Sequence, residues 1–244
     1  MAHGVPDDQD VVKQGDVYRV TDLAELAARL RSMVSYNRYG DVVLTDDFSE
    51  GLERWETLTT GTGGLVKLTS LAYLSSGVAT LLTPGSLVGS LAQIAITFAP
   101  LLYGPIGAAI AFRYYPVLDR IEFDYYSYDG IGYYKFAIWY NITEKALYYR
   151  NSDGVGVKFD DNVDLINSKV MFHQVKMVVN TLNGEYIRFY INNTTYVFDG
   201  IMAQYAASSE DPNERFFVIA WGYTPYTGYA IVDNFILTQN ELTS

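Results

Sequence analysis

The residues of this 244-residue chain best suited to chemistry are Glu122 and Asp124, within Glu122-Phe123-Asp124-Tyr125-Tyr126-Ser127. Side chains on a strand alternate between faces, so the two carboxylates project from the same side. A carboxylate pair hydrolyses glycosidic bonds when one acid attacks and the other donates a proton, about 5–5.5 Å apart in retaining enzymes. The positions that follow hold Tyr126 and Ser127 rather than a further acid. A same-face pair on its own reads as a solvated strand face, so the sequence is read as non-enzymatic.

Other chemistry is thinner. Asp160, Asp161, Asn162 and Asp164 offer oxygen ligands at close spacing, as a Ca2+ loop would, but no turn glycine and no following Glu complete an EF-hand. The chain has no cysteine, which excludes thiolate chemistry and disulfides, and its two histidines are His3 and His173. His173 shares strand parity with Val175, Met177 and Val179, which suits a hydrogen-bonded strand residue better than a catalyst. No Gly-x-Ser-x-Gly elbow and no phosphate-cradling loop is present. The aromatic pairs Tyr125-Tyr126, Tyr133-Tyr134, Trp139-Tyr140 and Tyr148-Tyr149 place one ring inward and one outward. An outward row of Tyr126, Tyr134, Trp139 and Tyr149 would stack on sugar rings, pack in an interface, or simply stabilise the sheet.

These residues need strands to position them, and the pattern supplies strands. Ile121, Phe123 and Tyr125 alternate with polar neighbours, as do Val175, Met177 and Val179, and Ile187, Phe189 and Ile191. Asn183-Gly184 favours a type I′ hairpin, and Asp129-Gly130, Asp153-Gly154 and Asp199-Gly200 mark further turns. The expected fold is all-β: an antiparallel sandwich of jelly-roll type over residues 39–244. Before it, residues 1–38 read as an acidic arm and one amphipathic helix from Thr21 to about Ser35, with Leu23, Leu26 and Leu30 on its apolar face. That face must dock on the sandwich or on a sister subunit.

Residues 68–112 carry no charged side chain. Glycine, proline and serine interrupt every apolar run, so the stretch is read as strands and turns rather than a membrane span. It is either buried within the domain or exposed in a subunit interface, where Leu101, Leu102 and Tyr103 would contribute.

At this point the sequence resembles a known group. Asp46-Asp47-Phe48-Ser49-Glu50-Gly51-Leu52-Glu53-Arg54-Trp55 is similar to the opening of concanavalin A-like and galactose-binding-like jelly rolls. Phe172–Val179 with Ile187–Asn192 resembles the paired back strands of laminin-G and concanavalin-like sandwiches, and Ile231–Leu237 resembles their last strand. The resemblance implies the sandwich fold. It also implies a Ca2+ position where Asp46, Asp47 and Asp233 would meet across the first and last strands. One glycoside hydrolase family with this sandwich uses Glu-x-Asp-x-(x)-Glu on one strand, which this chain lacks at its third acid. The layout of acidic arm, helix and Tyr-rich sandwich is also similar to capsid decoration proteins of tailed viruses.

Composition narrows the partners. Seventeen Lys and Arg against 28 Asp and Glu give a net charge of −11, without the basic stripe that nucleic acid requires. The start, Met1-Ala2-His3-Gly4-Val5-Pro6, has no basic or apolar signal region, so no secretory signal is expected. The resulting expectation is a non-enzymatic structural protein at a virion surface, self-associating as a trimer and docking on a capsid shell protein. The alternative is a carbohydrate-binding module that contacts a glycan through its exposed Tyr and Trp.

Overall fold

A computed structural model describes residues 40–242, apart from 75–76, 102, 116, 168–170 and 224–227. The expected helix, with Leu23, Leu26 and Leu30, and the arm before it lie outside the described residues, as does Leu102. Sixteen strands are described. The first six are β1 (Asp41–Asp46), β2 (Trp55–Thr59), β3 (Leu65–Thr69), β4 (Ala79–Thr83), β5 (Leu91–Phe98) and β6 (Pro105–Tyr114). Then come β7 (Leu118–Tyr128), β8 (Gly132–Asn141), β9 (Ala146–Arg150), β10 (Gly156–Asp160) and β11 (His173–Asn180). The last five are β12 (Glu185–Ile191), β13 (Thr194–Val197), β14 (Gln204–Ala207), β15 (Asn213–Gly222) and β16 (Ala230–Gln239).

The strands form two sheets, antiparallel throughout. One runs β13-β12-β11-β6-β16-β4-β3, with β1 beside the second half of β16. The other runs β10-β9-β8-β7-β15-β5-β2, with β14 beside the first half of β8. Alternation selects the contents of the core, as the sequence pattern predicts. Ile121, Phe123 and Tyr125 of β7 and Phe216 and Val218 of β15 face Ile110 and Phe112 of β6 and Phe235 of β16 in one continuous apolar layer. The strands of the uncharged stretch are buried, because β4, β5 and β6 lie inside the sheets and β6 is buried on both faces, whereas its loops leave Leu71, Leu87 and Val88 exposed. Leu101 packs against the core, while Tyr103 is exposed.

The acidic-Phe opening has a mechanical basis. Asp46 accepts the Phe48 N–H at 2.8 Å with one oxygen and the Trp55 Nε1–H at 3.0 Å with the other. That grip holds Phe48 at φ 60 and fully buried, with its ring 5.3 Å from Trp55, which meets Phe235 edge-on. A left-handed phenylalanine is costly, and burial of its ring offsets the strain. The β11–β12 hairpin departs from expectation. Its connection is four residues, Thr181–Gly184, in place of a two-residue type I′ turn. Gly184 takes positive φ (76) and its N–H returns to Asn180 O at 2.9 Å, whereas Asn183 stays at negative φ.

One side chain ties the sheets together. β9 pairs with residues 138–141 of β8 and β14 with residues 132–135, leaving Ala137 opposite a gap. The Tyr186 hydroxyl crosses from β12 to fill it. It accepts the Ala137 N–H at 2.8 Å, donates to Arg150 O at 2.8 Å, and lies 3.3 Å from Ala137 O. Unpaired peptide groups at this depth would each cost about 1–3 kcal/mol.

Several acids are buried as well, among them Glu214 and Asp233. Burial raises Glu214 of β15 to a pKa of about 7 and Asp233 of β16 to about 6. Both therefore bind their protons more tightly folded than unfolded, so their contribution to stability is full below about pH 4 and declines as pH rises through 6–7.

Two outcomes follow. Tyr186→Phe should lower the urea midpoint with an unchanged slope, at a cost of about 1–3 kcal/mol. A cost below about 0.5 kcal/mol would mean that the gap tolerates unpaired peptides. In melting experiments, the Tm at pH 5 should exceed that at pH 8 by about 5 °C, and Glu214→Gln should narrow the difference. A Tm that stays flat or rises over that interval would contradict the assignment.

Candidate functional site

The second sheet turns one face to the core and the other away from it, and the outward face gathers the side chains suited to recognition. On β7, Arg120, Glu122, Asp124 and Tyr126 point outward between the inward Ile121, Phe123 and Tyr125. Register then fixes their neighbours. Glu122 lies between Trp139 of β8 and Ile219 of β15, Asp124 between Ala137 and Phe217, and Arg120 between Asn141 and Trp221.

The carboxylates are not the solvated pair that the sequence suggested. Glu122 is 2% and Asp124 1% exposed, because Trp139, Trp221, Tyr126 and Phe217 crowd over the strands that carry them. Burial at this level demands partners. Glu122 Oε2 accepts from Arg120 Nε at 3.1 Å and from Trp221 Nε1 at 2.9 Å, and its Oε1 lies 3.5 Å from Arg150 Nη2. Asp124 Oδ2 pairs with Lys135 Nζ at 3.1 Å, while Oδ1 accepts no hydrogen bond. Burial, reinforced by the Glu122 charge, pushes Asp124 up to about 7 against the pull of Lys135 and Arg150. Burial alone would depress Lys135, but Asp124 and the Tyr126 hydroxyl outweigh it and its pKa ends up raised.

An aromatic and cationic row runs across five strands beside this pair. The Arg120 guanidinium lies 4.4 Å from the Trp221 ring and 5.9 Å from that of Trp139. Trp139 and Tyr148 are parallel within 3°, at 5.3 Å between centroids, and Lys158 Nζ lies 5.4 Å from the Tyr148 ring. The row needs a glycine at its end, because a Cβ on Gly156 would come within 2.6 Å of the Trp139 ring. A second aromatic group, Phe217, Tyr126, Tyr128 and Tyr133, lies farther along the same face, with Tyr126 4.9 Å from Phe217 and 5.4 Å from Tyr133.

Of the sugar-platform residues named from sequence, Tyr126 and Trp139 lie on this face. Tyr134 and Tyr149 do not, which corrects the expectation. Tyr134 shares parity with Phe136 and points inward, where it meets Phe136 and Tyr205, and Tyr149 packs on Phe159, Tyr186 and Phe198. The outward members of those pairs are Tyr133 and Tyr148. Counting parity from Trp139 along β8 would have found Tyr133, whereas Tyr148 lies on β9 and only the β8–β9 register sets it opposite Trp139. Trp221, Arg120 and Arg150 join the face only through register, which no local signal carries.

The carboxylates named for Ca2+ fall into two places. Asp233, fully buried, is within electrostatic reach of Asp46 and Asp47, and its oxygens accept the N–H groups of Leu74 at 2.7 Å and Asn234 at 2.8 Å. Asp160 and Asp161 lie at the end of β10 on the other sheet. There Asp160 accepts the Tyr196 hydroxyl and the Asn162 N–H, and Asp161 accepts the Asn162 side chain. No group of three or more His, Asp or Glu among the described residues is arranged to hold a metal ion. His173 is buried and hydrogen-bonded on both nitrogens, to Ile166 O at 2.9 Å and Asn192 Nδ2 at 3.0 Å. No helix among the described residues is long and apolar enough to cross a membrane.

No protein-family model matches the chain, and no curated protein matches it in sequence. Solved structures do match it in fold. The cellulose-induced protein Cip1 superposes with a TM-score of 0.56 at 13% identity, covering 83% of this chain and 100% of Cip1. A sialidase gives 0.53 at 11% identity over 83% of this chain, which spans about a fifth (19%) of the sialidase's length. The exoplasmic/lumenal domain of VIP36, solved with Ca2+ and Man3GlcNAc, gives 0.50 at 11% identity, covering 81% of this chain and 88% of that one. At such identities the likeness establishes the fold alone: a concanavalin-like jelly-roll sandwich of two antiparallel sheets.

Proposed function

We propose that this chain is a non-hydrolytic glycan-binding sandwich that receives a neutral polysaccharide on the outer face of its second sheet. The observation that carries the reading is the row Trp221–Arg120–Trp139–Tyr148–Lys158. Four inter-strand spacings give it a length of about 19 Å, enough for several sugar rings in line. All three rings in the row are partly exposed, so each offers apolar surface beside a cation that can donate to hydroxyls. The fold neighbours add support at the level of architecture, since they include a sialidase, a cellulose-induced protein and a lumenal domain solved with Man3GlcNAc.

Charge balance favours a neutral ligand. Arg120 pairs with Asp119 and Glu122, Lys135 with Asp124, Arg150 with Glu122, Lys158 with Glu144 and Arg215 with Glu210. The same balance argues against hydrolysis. A nucleophile and a general acid must reach the substrate, whereas Glu122 and Asp124 are covered and held by cations. They anchor the arginines and the lysine that shape the surface. The virion-surface reading rests on layout alone, and nothing in the fold adds to it.

Titration of soluble β-glucan, mannan and xylan should quench tryptophan fluorescence for at least one of them, and Trp139→Ala should weaken that binding by about tenfold or more. Tyr149→Ala, which alters the core side of the neighbouring strand β9, should mainly lower the Tm. Sugar release by the native chain, or indifference to all three polymers, would refute the reading. Glu122→Gln should weaken binding by loosening Arg120 and Arg150, at a stability cost of about 3–5 kcal/mol for breaking a buried pair.

A further inference from the structure

The outer face of the first sheet holds an arginine without a counterion. Phe112 and Tyr114 of β6 point into the core, so alternation sends Arg113, between them, to the outside. It is nevertheless only 4% exposed, and its Nη1 is buried with no hydrogen-bond partner. Each other arginine among the described residues is engaged: Arg54 with Glu50, Arg120 and Arg150 with Glu122, Arg188 with Leu242 O and Arg215 with Glu210. Arg113 makes no ion pair among them. A guanidinium cannot shed its proton to escape burial, so an uncompensated one is an expensive departure, and such departures mark function more often than packing.

Register builds its surroundings. Ile231 of β16 lies directly opposite Arg113, and Phe172 precedes His173 of β11, which lies opposite Phe112. The two therefore flank Arg113 from the neighbouring strands. Phe172 packs against the cluster of Ala79, Leu81 and Ile231, across β6 from it, so its ring passes over the strand where Arg113 stands. One step along, the Tyr115 N–H donates to Tyr229 O at 2.8 Å, and the two rings stack within 8° at 5.3 Å between centroids. Tyr115 is 41% exposed, and Phe172 and Tyr229 are partly so, which brings solvent to the rings that border the guanidinium. Asp233, two residues after Ile231, does not neutralise it, because its oxygens take the Leu74 and Asn234 N–H groups.

We propose that Arg113 anchors a site for a small organic carboxylate with a flat apolar body. The guanidinium offers the carboxylate a fork of N–H donors, while Phe172 and the Tyr115–Tyr229 stack offer the body apolar surface. One fixed positive charge matches a monoanion, whereas a phosphate dianion would keep a charge uncompensated. Binding gives Arg113 the counterion that the fold withholds. The site is separate from the glycan face, on the other sheet, and stands whether or not that face binds sugar.

Benzoate and benzamide make a matched pair of probes, since they share a ring and differ in charge. At constant ionic strength, benzoate should raise the Tm of the full chain by about 3–5 °C at ten times its Kd, and benzamide should not. Arg113→Met should abolish the benzoate shift and leave the unliganded Tm unchanged or higher, because an apolar side chain then replaces an unpaired charge. Arg113→Lys, which keeps the charge without the fork, should weaken benzoate binding by about tenfold or more, and Tyr115→Ala should weaken it less. Trp139→Ala, on the other sheet, should leave it unchanged. An equal shift from benzamide would replace the proposal with an apolar site. An equal shift from sodium sulfate or sodium phosphate would replace it with an inorganic-anion site. No shift up to about 10 mM benzoate, or an unliganded Arg113→Met chain that melts more than about 5 °C lower, would overturn it.

Discussion

The architecture depends on how a single strand, β8, is bordered on one edge. Two short strands share that edge, β14 at one end and β9 at the other, and they diverge at Ala137. A sheet that splits in this way leaves peptide groups unpaired where water has no access. Tyr186 meets the need from the opposite sheet, and its hydroxyl also fixes the carbonyl of Arg150. From Arg150 the connection continues outward, because its guanidinium holds Glu122 and lies 5.7 Å from the Trp139 ring. A core tyrosine on one sheet therefore sets the position of a cation on the far face of the other. The layers are coupled by geometry as well as by hydrophobic contact.

The buried charges on the outer face are best understood as scaffolding. An ion pair withdrawn from water gains little net stability over an apolar replacement, and breaking one is costly. Such groups remain where the cations they position are needed. Arg120 is held on one side by Glu122 and Asp119, and this keeps its guanidinium between Trp139 and Trp221. Without those acids a long arginine would sample many rotamers, and the row would lose its regular spacing. Asp124, with its pKa near 7 and one unsatisfied oxygen, is the weakest member of this set.

Much of the fold was legible in the sequence. Period-two alternation in β7, β11 and β12 identified strands and the inward side of each, and the Asp46–Phe48–Trp55 opening belongs to a sandwich of the kind its resemblance implied. Within the uncharged stretch 68–112, β4 and β6 are central strands buried on both faces, where a charge would have no partner. The site was less legible. Tyr134 and Tyr149 were chosen over Tyr133 and Tyr148 because an adjacent aromatic pair does not say which member faces out; parity from Trp139 along β8 settles the first choice, and only the β8–β9 register settles the second. The burial of Glu122 and Asp124 comes from cross-strand neighbours 15 to almost 100 positions away, such as Trp139 and Trp221. Glu214 faces inward by the same alternation that places Phe216, but a sequence pattern does not reveal whether a cation lies opposite.

Electrostatics separates the two faces of the second sheet. The chain carries a net charge of −11, yet its outer face is locally balanced, with Arg120, Lys135, Arg150, Lys158 and Arg215 each matched to an acid. A balanced surface rich in aromatic rings and fixed donors suits hydroxylated, uncharged chains, for which shape and hydrogen bonding decide affinity. The inner face has the opposite character, because Glu214 is buried there with the Ser127 hydroxyl donating to it and no ion pair to a lysine or arginine among the described residues. A desolvated carboxylate without a countercharge keeps its proton to higher pH. One sheet therefore presents two chemically distinct faces, because alternation sends Arg215 outward and Glu214 inward from adjacent positions on the same strand.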